Sequence, residues 1–262
     1  MLASVDGVIG PAEEARISIT DEGLTRGDGG FEVMRLYGGR PFALTDHLAR
    51  LANTCGGLRL EYDEDALGTE IGALLEAAGP VEALLRVVLT RGGRRILTIE
   101  PMPARAAVAR VATVTYAPTR VLDGLKTLSY AGNMLAGRLA RERGFDEALL
   151  VSPHGRVLEG PTWTFFWVHG GRLHTPPLAD GILDSITRAR LLDELDVTEA
   201  PCTLDDVRAA EEAFIASSVR EVMPIAAVDE IALPQAPGPV TAAAHEAFRR
   251  RVARELAAPA AA

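Results

Sequence analysis

Residues 125–136 read LKTLSYAGNMLA, and Lys126, the second of them, is the only lysine in a chain that carries 26 arginines. Asparagine is nearly as rare, with Asn53 and Asn133 alone, so a coding bias has replaced lysine by arginine wherever charge was all that was wanted. Lys126 stands against that bias. A guanidinium stays protonated and cannot act as an amine nucleophile, whereas a lysine amine can lose its proton and form an imine. The one lysine is therefore a candidate chemical group, with an accident of composition as the plain alternative.

Upstream of it, APTRVLDG (117–124) holds a proline and a glycine between two structured regions and reads as a linker. Before the linker, SVDGVIG and ARISIT read as short strands around an Asp-Gly turn, and GGFEVMRLYGGRPFAL (29–44) as a hairpin turning at Gly38-Gly39. A helix follows from Thr45 or Asp46, with Leu48, Leu51, Ala52 and Cys55 at helical spacing and Gly56-Gly57 as its stop. A second helix covers about 64–78, and the strands EALLRVVLTR and ARVATVTYAP complete a small α+β unit. Downstream, GNMLAGRLARERG reads as a helix with Met134, Leu135 and Leu139 inward and Gly144 as its stop. A meander of strands to RLHTPP, a helix DSITRARLLDEL capped by Asp184 or Ser185, a strand EAFIASS and a helix over about 240–256 finish the chain. The expected division is a small domain over 1–116, the linker, and a larger domain over 125–262.

With 262 residues and 48% apolar side chains the chain can bury two sizeable cores. Its net charge of −9 excludes a phosphate-gripping basic face, so neither nucleic acid nor an anionic membrane is expected as a partner. Cys55 and Cys202 lie far apart and outside any metal-ligand spacing, so no metal site and a reducing, cytoplasmic compartment are expected. The N-terminus lacks a signal-peptide layout, and no run reaches membrane-helix length.

Seven motifs in order then carry a resemblance: GDGGFEV (27–33), DHLARL (46–51), LKTLSYAGNMLA, GFDEALLVSPHGRVLEG (144–160), RLHTPPL (172–178), GILDSITR (181–188) and EEAFIASSVREVMPI (211–225). Together they resemble the class IV, or fold-type IV, pyridoxal 5'-phosphate (PLP) enzymes: branched-chain and D-amino-acid aminotransferases, (R)-selective amine transaminases and aminodeoxychorismate lyases. The resemblance implies an α+β fold of two domains, a small α/β sandwich and a larger barrel-like domain with helices. It also implies a homodimer with PLP as cofactor. Lys126 falls on the Schiff-base lysine, Glu159 on the carboxylate facing the pyridine nitrogen, and Arg50 on the phosphate arginine. Ile186 and Thr187 fall on phosphate donors, Ser217 and Ser218 on a second phosphate-side loop, and Tyr130 on a tyrosine at the cofactor ring.

The chemistry wants these types. A carboxylate beside the ring nitrogen stabilises its protonated form. A helix N-terminus offers unsatisfied N–H groups to a phosphate, and an arginine fork matches its oxygens. A lysine amine at the α-carbon can move the proton whose transfer defines transamination. Substrate contacts are expected from Phe31, which replaces a common tyrosine, from Arg94 or Arg95 in TRGGRR for a carboxylate, and from Trp163 and Thr164, where the family more often ends a small polar run in asparagine. The leading expectation is an aminotransferase acting between an amino donor and a 2-oxo acid acceptor. Aminodeoxychorismate lyase is the alternative, and a non-catalytic PLP-binding protein a distant third.

Overall fold

A computed structural model describes residues 1–104 and 106–257 of the protein. They form two compact units, each with its own sheet: residues 1–104 with Leu125–Tyr130, and residues 106–124 with 131–257. The chain divides differently from the expectation at two places. The strand Ala109–Thr115 belongs to the second unit, because it pairs in parallel with strands of that sheet. Leu125–Tyr130 belongs to the first, because its backbone hydrogen-bonds to a strand there. Arg105 and residues 258–262, inside the two expected domains, lie outside the described residues.

The first unit contains β1 (Leu2–Val5), β2 (Val8–Pro11), α1 (Glu22–Arg26), β3 (Gly29–Tyr37), β4 (Arg40–Pro41), α2 (Leu44–Leu58), α3 (Glu64–Ala78), β5 (Ala83–Thr90) and β6 (Arg95–Pro101). Its six strands are ordered β2-β1-β6-β5-β3-β4, all antiparallel neighbours. Alternation along the strands sends Met34, Leu36, Leu85, Val87 and Leu89 to one face, where they meet Leu51, Cys55, Leu67, Ile71 and Leu74 of α2 and α3. Each such burial contributes on the order of 1.5–3 kcal/mol, enough to carry α2 through Gly56-Gly57 to a left-handed cap at Arg59. The glycine stop expected there is overridden by this packing. ARISIT forms no strand.

The second unit contains β7 (Ala109–Thr115), α4 (Ala131–Glu142), β8 (Glu147–Val151), β9 (Thr164–His169), β10 (Arg172–Thr175), α5 (Ile186–Glu194), β11 (Val197–Glu199), α6 (Leu204–Ala209), β12 (Glu212–Ser217), β13 (Glu221–Val228), β14 (Ile231–Ala232) and α7 (Pro239–Ala257). Its sheet runs β11-β10-β9-β12-β13-β7-β8, with β14 added beside β13. Both faces are covered. Leu149 and Val151 of β8 join a core with Trp163, Phe165, Trp167 and Ile215, while Ala148 and Leu150 join another with Ala136 and Ala140 of α4. Two-sided burial explains why EALLV and TFFWV read as unbroken apolar runs.

One expectation reverses. In α4 the small residues Ala136, Gly137 and Ala140 face the sheet, and Met134, Leu135 and Leu139 are 45%, 48% and 39% exposed. Small side chains let the helix approach the sheet closely, which turns its large apolar residues outward.

Candidate active site

In the first unit the backbone around Lys126 is stitched to β3. Phe31 donates its N–H to the Lys126 carbonyl (3.0 Å), Leu128 donates to the Gly29 carbonyl (2.8 Å), and the Lys126 N–H reaches the Thr54 hydroxyl on α2 (3.1 Å). Gly29 is required on the other side of that strand: a Cβ there would sit 2.3 Å from the Leu89 carbonyl oxygen. Three contacts thus fix where the lysine side chain starts. Its Nζ lies 4.5 Å from the Phe31 ring centroid and 5.9 Å from that of Tyr130, and the two rings meet edge to face at 5.2 Å. Tyr130 reaches the amine through Phe31, from just ahead of α4.

Glu32, the next residue on β3, points to the opposite face and is fully buried against α2. His47, Arg50, Leu51 and Thr54 share one face of that helix, at helical spacing. Arg50 grips Glu32 with Nε (2.6 Å) and Nη2 (2.7 Å), and His47 Nδ1 lies 2.8 Å from the same carboxylate. Burial alone would raise the Glu32 pKa. The hydrogen bonds and charges of Arg50 and His47 outweigh it and hold the carboxyl at about 2. Burial holds His47 below its ordinary range against the pull of Glu32, with the charges of Arg50 and Lys126 acting in the same direction as burial. At neutral pH the neutral imidazole donates to a carboxylate whose counter-charge is Arg50.

In the second unit Glu159 sits in a rigid corner. Its carbonyl accepts from Leu150 (2.8 Å), and its Oε1 accepts the Leu183 N–H (3.1 Å) two residues before α5 is capped. The phenol of Tyr116 is raised by burial and then by the Glu159 charge, and it donates to Asn133 (3.0 Å). At α5, the Ser185 side chain accepts from the Arg188 N–H, one of the two expected caps. Ile186 and Thr187 occupy the first turn, where backbone N–H groups have no helical partner. Thr187 is fully buried, and its hydroxyl has no hydrogen-bond partner among the described residues. A buried orphan hydroxyl on a helix N-terminus suits an anionic oxygen. Ser217 ends β12, accepts the Arg220 N–H (3.0 Å), and leads with Ser218 into the turn to β13.

A model of the amino-transferase class IV family matches residues 29–228. The chain belongs to the class IV aminotransferases. It is 31% identical to a putative branched-chain-amino-acid aminotransferase of Methanocaldococcus jannaschii over 83% of this chain and 84% of that one. To the D-alanine aminotransferase of Bacillus licheniformis it is 28% identical, over 93% and 94%. Among solved structures it resembles the fold IV-transaminase CpuTA1 of Curtobacterium pusillum, with a TM-score of 0.83, 30% identity, and coverage of 95% and 92%. The fold is therefore fold type IV, the protein is a PLP-dependent enzyme of aminotransferase type, and the lyase reading is not favoured. No helix among the described residues is long and apolar enough to cross a membrane, and no acidic, histidine or cysteine cluster among them could hold a metal.

The residues expected at the substrate of this aminotransferase are paired or buried in the structure. Arg94 pairs with Asp6 (2.6 Å) and Arg95 with Glu70 (2.7 Å). Arg95 stands opposite Leu89, so its side chain leaves the sheet on the helix-covered face, away from Phe31. Trp163 belongs to the core of the second unit. It is buried, its indole N–H reaches Glu147 (3.3 Å), and it fills the space over Gly160, where a Cβ would lie 1.9 Å from the ring. Thr164 is fully buried opposite Ala216, and its hydroxyl has no hydrogen-bond partner among the described residues. Sequence reading missed His47, Thr54 and Arg86. Their signal was present only as positions, on one helix face for the first two and on the Phe31 side of β5 for the third.

Proposed function

We propose that Lys126 is the residue through which this aminotransferase holds PLP and transfers the substrate proton. The reading adds Glu159 at the ring nitrogen and Tyr130 beside the ring. Arg50, the N–H groups of Ile186 and Thr187, the Thr187 hydroxyl, and Ser217 and Ser218 serve the phosphate. Bound PLP supplies an electron sink into which a bond at the substrate α-carbon can release its electrons.

The chain's residues do the rest. Glu159, itself fixed by the Leu183 N–H, keeps a proton on the ring nitrogen by pairing with its positive charge. Ile186 and Thr187 bring N–H donors at a positive helix end, and the orphan hydroxyl finds there the acceptor it lacks. Glu32 orients Arg50 by occupying Nε and Nη2, which fixes the plane of its guanidinium. With PLP bound, the free Lys126 amine would take the substrate α-proton and return it to the neighbouring carbon on the cofactor side. Over a full cycle an amino donor and a 2-oxo acid would become a new 2-oxo acid and a new amino acid, the water consumed in releasing the first product being returned when the second forms.

The observation that carries this reading is the chain's one lysine, in a segment held by three hydrogen bonds to β3 and Thr54, with its amine against Phe31 and Tyr130. Its test is Lys126→Ala. The purified wild-type protein is expected to be yellow, to bleach with borohydride, and to exchange nitrogen between an amino donor and a 2-oxo acid. The variant is expected to show none of these, and full turnover in it refutes the role. The reading extends to a cytoplasmic homodimer, supported by the exposed face Met134, Leu135 and Leu139 of α4.

A further inference from the structure

The Phe31 ring carries two cations. Lys126 Nζ is 4.5 Å from its centroid, and the Arg86 guanidinium carbon is 5.9 Å from it. Strand register explains the second. Val33 stands opposite Arg86, Phe31 opposite Val88, Arg86 opposite Thr98 and Leu84 opposite Glu100, so these side chains all leave the sheet on one face. That face is mainly apolar near the lysine, with Phe31, Val33, Leu84 and Val88. The charged pair nearest them is Arg86 and Glu100. Arg35, further along β3, lies over the Tyr37 ring and beside Glu82 (3.6 Å) at the strand's far end.

Glu100 engages Arg86 with both oxygens, Oε1 to Nε at 2.6 Å and Oε2 to Nη2 at 3.0 Å, and Oε1 also accepts the Thr98 hydroxyl at 3.0 Å. Burial would raise the Glu100 pKa, but Arg86 and Thr98 outweigh it, so the carboxylate is ionised at neutral pH. The two side chains are 36% and 23% exposed, and an ion pair that open to water adds little to stability. Its consequence is electrostatic. Arg86 and the lysine amine approach the same Phe31 ring, and the bidentate edge of the guanidinium is already filled by a carboxylate.

We propose that Glu100 is a specificity-determining residue: it competes with the side-chain carboxylate of a dicarboxylic substrate for Arg86, and so biases the enzyme toward amino donors and 2-oxo acids with uncharged, apolar side chains. A dicarboxylate must displace Glu100 and then lie beside its unpaired charge. A branched or linear apolar chain meets Phe31, Val33 and Val88 and leaves the pair undisturbed. The inference rests on the reading that the Lys126 amine marks where the substrate reacts.

The test compares acceptors that carry no stereocentre, 2-oxoglutarate and 4-methyl-2-oxopentanoate, with the PLP-loaded enzyme. In Glu100→Gln the ratio of kcat/KM for the dicarboxylate over the monocarboxylate is expected to rise about tenfold, because the competing charge is gone and Arg86 is open to the substrate. In Glu100→Gln/Arg86→Met that rise is expected to vanish, and in Glu100→Asp the original ratio should return in large part. Calorimetric titration with glutarate, which does not react, should show the same order of affinities. The thermal midpoint of Glu100→Gln should stay close to that of the unmodified protein. An active Glu100→Gln whose ratio and glutarate affinity are unchanged overturns the inference and leaves the function standing. An unmodified enzyme that transfers nitrogen to neither acceptor overturns both.

Discussion

Replacing Glu32 by glutamine removes one charge from a fully buried site while keeping its shape. The carboxyl is held at about 2 against an ordinary 4.5, and a shift of that size corresponds to roughly 3 kcal/mol of folded-state stabilisation. Losing one partner of a buried pair costs about 3–5 kcal/mol in general, because the other charge is left uncompensated, so the two routes agree. Because the folded pKa is depressed, this stabilisation is complete above the unfolded value and is lost as pH falls toward about 2. His47, also depressed, adds an earlier step: the unfolded chain takes up its proton first as pH falls through 6.5, and stability declines from there. The assay is urea denaturation followed by circular dichroism across the acid range. Tryptophan fluorescence is the wrong probe, because Trp163 and Trp167, the chain's two tryptophans, both lie in the second unit. Glu32→Gln should lose about 3 kcal/mol at neutral pH and weaken less steeply than the unmodified protein as pH falls from the ordinary carboxyl range toward about 2, with the His47 step still present. A loss under about 1 kcal/mol, or an unchanged acid limb, refutes the buried-carboxylate argument.

Further outcomes follow from the same geometry. Thr187→Val removes a hydroxyl that has no partner among the described residues, so stability should hold while PLP affinity falls about tenfold in a spectrophotometric titration, the value of a hydrogen bond to a charged oxygen. Gly160→Ala drives a Cβ into the Trp163 indole and should cost about 1–3 kcal/mol with a shift in tryptophan emission; an unperturbed emission spectrum would show that the corner is loose. Arg94→Ala and Arg95→Ala break pairs with Asp6 and Glu70, and Arg95 leaves the sheet on the face opposite Phe31, so KM for both substrates should stay as it was; a large rise in either would support the carboxylate role expected from sequence.

What the sequence disclosed was order and type, and what it withheld was facing. Seven motifs in series were enough for the family, and the lone lysine pointed to itself by composition. The helix Glu64–Ala78 and the Ser185 cap were legible because local signals decide them. By contrast, α4 has large and small apolar residues on different sides, and only packing distance decides which turn inward. Gly56-Gly57 carries a strong local stop signal that burial of Leu51 and Cys55 overcomes. Arg94 and Arg95 looked free because their partners, Asp6 and Glu70, are distant in sequence. Arg86 was invisible until the pairing of β3 with β5 fixed which side of the sheet it shares with Phe31.

The pairing of 126–128 with β3 has a consequence for the protein's life in a crowded solution. β3 pairs fully with β5 on one side; its other side is covered at the far end by β4 and at the near end by Lys126 and its neighbours. Without that segment, the start of β3 would offer bare amides and carbonyls to any passing strand. The peptide that carries the reactive amine is thus also a guard against misassembly, and changes that loosen it would surface as aggregation as well as lost turnover.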